Sequence, residues 1–206
     1  MLLVKRIWNW CRHFRYRCGY GVHSPSDFFL ITSVIYEALP YYAYETLRKT
    51  PTSKERPYYR EKVNRLLFRL VNFYHPSTLM EVGEGNGDAL RYMRAARPSM
   101  KSVGLDGESK NTMLCLKDEL EQMKNVGFLH IGPTSYYMEV FEKVFPYLNE
   151  QSCVVVGEIH TSKQREEWWK KLIQDERVRI SFDLHDIGIL LFEAKRFKQN
   201  YIVNFF

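Results

Sequence analysis

Hydrophobic positions recur along this chain with two different periods, and the period changes near residue 77. In the front part, apolar residues recur every three to four positions, which is typical of amphipathic helices. One stripe consists of Leu3, Ile7, Trp10 and Phe14, and a longer stripe predicts a helix over residues 58–74. We therefore interpret residues 1–76 as a helical N-terminal extension that packs on the rest of the chain.

Two further helices are expected between these stripes. Ser26 or Asp27 is placed to cap a helix that runs to about Leu39, because short polar side chains satisfy the first backbone N–H groups of a helix. A shorter helix is predicted over residues 42–49, and the polar stretch 50–57 is typical of a loop.

From residue 77 onward, short apolar runs alternate with amphipathic stretches. The runs predict strands at 78–82, 102–106, 126–131 and 152–158, and the stretches predict helices at 88–97, 109–124, 135–148 and 163–175. Such alternation is typical of parallel strands joined by crossover helices, so we expect an α/β core over residues 77–206. The last β-rich runs have no helix between them and should pair antiparallel; they are 178–184, 187–192 and 201–205.

The composition fits one structural domain that includes both parts. The chain has 206 residues, of which 45% are hydrophobic and 26% charged, which is enough for a single core. No apolar run approaches the ~20 residues of a membrane span, and the first residues lack the order of a secretory signal. We therefore expect a cytoplasmic protein. None of the four cysteines has the spacing of a zinc site or of a C-x-x-C motif.

The net charge of +6 permits nucleic acid, acidic lipid or anionic substrates as partners without choosing among them. The basic and aromatic N-terminal segment could lie on a membrane surface or contact nucleic acid. Its simpler interpretation is a helix that packs on the domain and keeps its basic side chains in water. The sequence indicates no oligomeric state.

The strongest chemical signal is a glycine-rich turn between a predicted strand and a predicted helix. Glu81 lies in the predicted strand 78–82, which is followed by Gly83, Gly85 and Gly87. Glycines allow close approach of a ligand, and the first N–H groups of the next helix face that ligand. The spacing is G-x-G-x-G and not the G-x-G-x-x-G of dinucleotide folds. The next strand ends at Asp106, where an acid can accept hydrogen bonds from ribose hydroxyls. The alternative is a tight turn without a ligand.

With these motifs the chain resembles class I S-adenosylmethionine (SAM) dependent methyltransferases, in particular a subgroup of O-methyltransferase-like proteins. Residues 81–87 match the family's first motif and Asp106 matches its second. Further signatures of the subgroup appear as His23-Ser24-Pro25, Gly157-Glu158-Ile159-His160-Thr161-Ser162, Trp168-Trp169, and the segments 178–184 and 198–206. The resemblance implies a Rossmann-like sheet of strand order 3-2-1-4-5-7-6. It also implies SAM as the cofactor, bound by Glu81, Gly83, Gly85, Gly87 and Asp106.

The chain departs from this subgroup in three ways. The fourth strand ends in Ile131-Gly132-Pro133-Thr134 where the subgroup has an acid, and the acid pair after the fifth strand is Gly157-Glu158. Only four strand–helix units are present, so we expect the third strand with its helix to be missing. That unit is at an edge, and its loss leaves the core intact but removes a loop that walls the adenine. A single carboxylate at these strand ends also predicts no metal site.

Two side chains at the end of the predicted strand 152–158 are candidates for catalysis. Glu158 and His160 could act as a general base and its orienting partner, or form an ordinary polar pair. His23 could face the same cleft, or serve only in a turn before proline. His185, with Asp183 and Asp186, has atoms that can bind metal, but its simpler interpretation is the tip of a β-hairpin.

The leading functional hypothesis is a SAM-dependent methyltransferase-like protein that acts on an unknown small-molecule acceptor without metal. The alternative is a catalytically degenerate member that keeps the fold as a binding or interaction module. The missing edge unit and the lost acids favour that alternative. A nicotinamide-dependent oxidoreductase is opposed by the glycine spacing. No Asn-Pro-Pro-Tyr-like or Pro-Cys motif of base methyltransferases is present, so nucleic acid is not expected as a partner.

Overall fold

The computed structural model describes residues 10–11, 13–50 and 58–205. Leu3 and Ile7 of the N-terminal stripe lie outside these residues, and so does most of the predicted loop 50–57. Within the described ranges, no helix is long and apolar enough to cross a membrane.

The front part is helical, as predicted. It contains a 3₁₀ turn at Phe14–Tyr16, helix α1 at Pro25–Leu30 that continues as a π-helix over Ile31–Ile35, helix α2 at Tyr42–Lys49 and helix α3 at Glu61–Tyr74. Helix α3 contributes to the core, because eight of its side chains are fully or almost fully buried: Val63, Asn64, Leu66, Leu67, Phe68, Arg69, Leu70 and Val71.

Both predicted ends of the first helix are wrong. The cap is Ser24, whose hydroxyl accepts a hydrogen bond from the Asp27 backbone N–H at 3.4 Å, because Pro25 fits the first helical position. The helix ends at Ile35 and does not reach Leu39. Its last carbonyl groups are satisfied by the buried guanidinium of Arg69, which donates to the Ile35 oxygen at 3.0 Å.

The remainder alternates strands and helices. The strands are β1 at Thr78–Gly83, β2 at Lys101–Asp106, β3 at Phe128–Ile131, β4 at Cys153–Gly157, β5 at Ile180–Asp183, β6 at Ile187–Leu191 and β7 at Gln199–Ile202. The helices are α4 at Asp88–Ala96, α5 at Thr112–Met123, α6 at Tyr137–Val144, extended by a 3₁₀ turn at Phe145–Tyr147, and α7 at Lys163–Leu172. Every strand and helix predicted for this part is present.

The seven strands form one sheet in the order β2-β1-β3-β4-β6-β5-β7. Strands β1 to β4 are parallel, and within the described residues β2 lies at one edge. The expectation that the family's third strand is missing is therefore confirmed. Helices α3 and α4 pack together on one face, whereas α5, α6 and α7 cover the other, as right-handed crossovers require.

The pairing predicted for the tail is wrong in one part. Strand β6 is antiparallel to β4 and β5, but β7 is parallel to β5. A short connection reverses the chain after β6, so β7 must run opposite to β6. Because β6 already has a neighbour on each side, β7 pairs with β5 at the outer edge and runs in the same direction as β5.

Candidate functional site

The strand order reverses between β1 and β3, since β1 leads by way of α4 to β2 on one side and β3 leads to β4 on the other. Ligands of open α/β sheets bind at such a reversal, outside the carboxyl ends of the strands. The loops that follow β1, β2, β3 and β4 meet at this edge. Together with the strand ends before them, these loops contain Glu81, Gly83, Gly85, Gly87 and Asp106, predicted for the cofactor, and the catalytic candidates Glu158 and His160.

The glycine turn packs against the protein's own chain. Gly83 and Gly85 are both buried. A Cβ atom at Gly83 would lie 2.7 Å from the Gly132 Cα atom, and one at Gly104 would lie 2.4 Å from the Gly85 carbonyl oxygen. These glycines are therefore required where one backbone segment touches another. At Gly85 itself a Cβ atom would have room, because its nearest neighbour is 3.4 Å away, and the constraint is its φ of +63°.

Two loops close over the end of β1. Thr134 Oγ1, after β3, donates a hydrogen bond of 2.7 Å to the Gly107 carbonyl oxygen, after β2. The Ser135 backbone N–H donates to Glu108 Oε1 at 2.7 Å, and Ser135 Oγ lies 3.0 Å from Glu108 Oε2. We call these three hydrogen bonds the loop bridge. Gly83 lies beneath it, since Gly107 and Pro133 approach it from either side.

The N-terminus of α4 is occupied by a side chain of the turn. The Glu84 carboxylate lies beside Gly87 and accepts a hydrogen bond from the Ala89 backbone N–H. Burial raises the pKa of Glu84, and the bond from Ala89 offsets only part of that effect. The N–H groups that would face an anionic or polar ligand are thus served by the chain's own carboxylate. Gly87, the third glycine, accommodates this side chain.

Asp106 lies at the end of β2, where the sequence places it. Its side chain is exposed, and Oδ1 accepts a hydrogen bond from the Glu108 backbone N–H at 3.0 Å. The Asp106 carbonyl oxygen accepts a further bond from Thr112 Oγ1. The carboxylate therefore organises its own loop and still has an oxygen that points to solvent.

These contacts test whether the residues present fit SAM. The resemblance places SAM over Gly83, Gly85 and Gly87, with its ribose at Asp106. The loop bridge lies next to Gly83, and Gly83 and Gly85 are buried. In this arrangement a ligand that touches Gly83 from the side of the bridge would have to open it, whereas the Asp106 side chain is exposed at the end of β2.

Glu81 lies below the bridge in a buried polar group. It is fully buried, its Oε1 accepts from the Glu84 backbone N–H at 3.1 Å, and it lies 3.5 Å from His130 Nδ1. The other ring nitrogen of His130 is 3.2 Å from the Tyr59 hydroxyl. Glu81 thus supports the turn and contacts His130 on β3, and its side chain is not exposed.

A cleft of about 450 Å³ lies beside the bridge, and it is lined by the loops after β3 and β4 together with Gly83 at the end of β1 and Glu108 after β2. Glu158 and Arg165 are on its wall, and their side chains approach to 3.5 Å. Arg165 is buried, donates to the Thr134 carbonyl oxygen at 2.6 Å, and stacks on the Tyr137 ring at 4.2 Å. Burial and the nearby Glu158 carboxylate raise the pKa of Tyr58, which covers the same end of the sheet.

Glu158 and His160 do not form the pair considered above. His160 Nε2 lies 2.8 Å from Asp183 Oδ2 at the end of β5, and its ring stacks on His185 at 5.2 Å. The reason is the left-handed backbone of Glu158, with φ of 60°, which turns the chain between the two side chains. Burial lowers the pKa of His160, but the hydrogen bond to Asp183 and its charge outweigh that effect, so the pKa is raised.

The remaining histidine candidates are also located. His23 lines a separate cavity with residues at the start of β5 and β7, so it lies at the opposite end of the sheet, and the hypothesis that it faces the cleft is wrong. His185 lies at the tip of the β5–β6 hairpin, which is the simpler of the two interpretations given for it from the sequence. Within the described ranges, no three side chains of the metal-binding types cluster to hold an ion.

Several residues that shape this edge were missed by the sequence analysis. They are Glu84, Gly107, Glu108, Thr134 and Arg165. Glu84 carried a usable signal, because an acid a few residues before a helix can fold back to its first N–H groups. The others carried none, since their partners are distant along the chain.

No protein-family model and no curated protein matches this sequence. Solved structures match its fold. A methyltransferase from Geobacter sulfurreducens has a TM-score of 0.50 and 13% identity, over 76% of this chain and 92% of its own. A protein from Staphylococcus aureus, provisionally assigned as a caffeoyl-CoA O-methyltransferase, has a TM-score of 0.50 and 10% identity, over 91% and 99%. The SAH-bound methyltransferase PaMTH1 of Podospora anserina has a TM-score of 0.49 and 10% identity, over 96% of each chain.

The first two matches indicate the class of the fold, which this chain shares with solved methyltransferases: a mostly parallel sheet with an antiparallel β6. The chain is therefore methyltransferase-like in architecture. At identities of 10–13% the likeness concerns the fold alone, and the chemistry must be argued from the site.

Proposed function

We propose that this protein uses the methyltransferase-like fold as a binding module and does not hold SAM over its glycine turn. The observation that carries the proposal is the hydrogen bond from Thr134 Oγ1 to the Gly107 carbonyl oxygen across the end of β1. Both groups are buried, so a ligand at this position would have to break the bond and pair both groups again.

The proposed binding site is the cleft beside the bridge. Its volume of about 450 Å³ is in the usual range of small-molecule sites. Its wall offers the carboxylates of Glu108 and Glu158, the guanidinium of Arg165 and the Tyr137 hydroxyl, which is buried without a hydrogen-bond partner. These groups suit a small polar ligand that carries both hydrogen-bond donors and acceptors.

Calorimetry tests the first part of the proposal. The parent chain should give no binding heat with SAM, S-adenosylhomocysteine or NAD at millimolar concentration. The double variant Glu108→Ala with Thr134→Ala removes the loop bridge. Its titration with SAM tests whether the bridge alone keeps SAM from the glycine turn. Binding of SAM by the parent chain, lost in Asp106→Ala, would overturn the proposal.

A second candidate is metal-independent methyl transfer from SAM to a small-molecule acceptor. Two observations favour it: Gly85 keeps the left-handed backbone of the turn, and Asp106 presents an exposed carboxylate at the ribose position. If the bridge opens, both would be available. Methyl transfer is an in-line displacement in which positioning supplies much of the rate, and Glu158 or His160 would serve as base for an acceptor hydroxyl.

Transfer of a labelled methyl group from SAM to a panel of phenols separates the two candidates. The second candidate expects turnover that survives EDTA and falls in Glu158→Gln or His160→Gln while SAM binding is retained. Turnover that requires Mg²⁺ would contradict the metal-independent form. Absence of both turnover and SAM binding leaves the binding module.

A further inference from the structure

The positive charge of this protein is concentrated at its front end. Residues 1–26 contain five basic side chains and no acidic one, whereas the rest of the chain has 25 basic and 24 acidic side chains. The five are Lys5, Arg6, Arg12, Arg15 and Arg17. The front segment therefore accounts for five of the six net positive charges, and the remainder of the protein is close to neutral.

Large apolar rings are exposed in the described part of the same segment. Trp10 is 37% exposed and Phe14 is 54% exposed, and their rings pack edge to face at 5.2 Å. Phe28, which is 45% exposed, lies against Gly19 of this segment, where a Cβ atom would come within 2.8 Å of its ring. Exposed aromatic rings thus lie beside Arg17, whose guanidinium is near both Trp10 and Phe14.

The segment is attached to the core behind these rings. The side-chain amide of Asn204 donates to the Trp10 carbonyl oxygen at 3.1 Å, and its backbone N–H donates to the Tyr16 carbonyl oxygen at 3.1 Å. Asn204 is itself buried and accepts a hydrogen bond from the Tyr36 hydroxyl. The backbone is therefore held on the domain while the rings of Trp10 and Phe14 face outward.

We propose that this aromatic–basic surface, formed by Trp10, Phe14, Arg15, Arg17 and Phe28, docks on an anionic lipid bilayer. Aromatic rings favour the boundary between headgroups and acyl chains, and arginine side chains beside them pair with lipid phosphates. A locally charged segment on a nearly neutral protein has the charge complementarity that this partner requires.

Nucleic acid fits this surface less well. Binding of single strands depends on bases that stack on free aromatic faces. The guanidinium of Arg17 lies over both exposed rings, at 5.7 Å from the centroid of Trp10 and 5.6 Å from that of Phe14. The faces are thereby partly covered, whereas the ring edges can still enter a bilayer.

Sedimentation of the full chain with vesicles tests the proposal. The parent should bind vesicles that contain phosphatidylserine and should not bind pure phosphatidylcholine. Each basic side chain near an anionic surface changes the affinity about five-fold, so Arg15→Gln with Arg17→Gln should weaken binding about 30-fold. Trp10→Ser with Phe14→Ser should also lose most of the binding. Tyr42→Ser, at a fully exposed aromatic residue of α2, is the matched control and should bind like the parent.

Circular dichroism of each variant establishes that the fold is retained. Equal binding to neutral and anionic vesicles, or no binding of the parent to either, would overturn the proposal. So would binding of a single-stranded RNA that the Trp10 and Phe14 changes abolish, together with no vesicle binding. Loss of vesicle binding in the Tyr42 control would show that the effect is not specific to this surface.

Discussion

The carboxyl ends of β1 and β2 and those of β4 and β5 lie at the same edge of the sheet, yet they differ in what they offer to a ligand. At the end of β1, Gly83 and Gly85 are buried beside the loop bridge, and Glu84 accepts a hydrogen bond from one N–H of α4. At β4 and β5, Glu158 is partly exposed on the wall of a cleft, and His160 is partly exposed beside Asp183.

The difference shows that the glycines of this turn serve packing within the chain. The glycines of the turn suit close approach of any group, and here the approaching group is another segment of the same chain. Gly104 and Gly85 touch each other, and Gly83 touches the loop after β3. The motif can therefore be retained for packing alone. The predictions below test this contrast.

The largest effect is expected from Gly104→Ala at the closed end. Its Cβ atom would meet the Gly85 carbonyl oxygen at 2.4 Å and a Leu90 methyl group at 2.6 Å, so the free energy of unfolding should fall by about 3 kcal/mol. Urea denaturation measures it. Gly21→Ala is the control, because no atom lies within 4 Å and only its left-handed backbone costs ~1 kcal/mol. Equal losses of unfolding free energy in the two variants would mean that Gly85 does not contact Gly104 of β2 closely.

Thr134→Val should have the next largest effect. Valine keeps the shape but leaves the buried Gly107 carbonyl oxygen without its donor, which should cost about 1–3 kcal/mol in the free energy of unfolding. The control is Thr32→Val, whose hydroxyl bonds an exposed helix carbonyl and should matter by less than ~0.5 kcal/mol. A Thr134 variant as stable as the parent would argue that the bridge is open in solution.

At the open end, the pKa of His160 should be measured by NMR. It should lie above its ordinary value of about 6.5, because the bond to Asp183 outweighs burial, and Asp183→Asn should lower it. Because the pKa is raised in the folded state, protonated His160 adds to the free energy of unfolding. This contribution is complete below pH ~6.5 and is lost as the pH rises through the folded pKa. Stability that is independent of pH across this window, or unaffected by Asp183→Asn, would contradict the pairing.

The smallest effect is expected from Gly85→Ala. The nearest atoms to its Cβ would be at 3.4–3.7 Å, an ordinary contact, so only the left-handed backbone should cost about 1 kcal/mol in the free energy of unfolding. Thermal denaturation of Gly85→Ala and Gly104→Ala under the same conditions shows which variant loses more stability. A loss as large as that of Gly104→Ala would show a tighter turn than the geometry indicates.

The alternation of apolar runs and amphipathic stretches was sufficient to predict the parallel core, and the missing edge unit followed from comparing it with the strand order of the family that the chain resembles. These features depend on periodicity, which is local, and on rules for connecting parallel strands. The end of the first helix was not predictable in this way, because Arg69, from a distant helix, satisfies its last carbonyl groups. Nor was the direction of β7, which depends on which neighbours β6 already has.

By itself, the sequence determined the class of fold, the place of the glycine turn and the presence of Asp106 at the end of the next strand. The tertiary structure decided what these residues do. It brought Thr134 onto Gly107, directed His160 to Asp183 and away from Glu158, and buried Gly83. The reason is physical: helices and strands follow from residues a few positions apart, whereas access to a site depends on which loops distant along the chain meet above it.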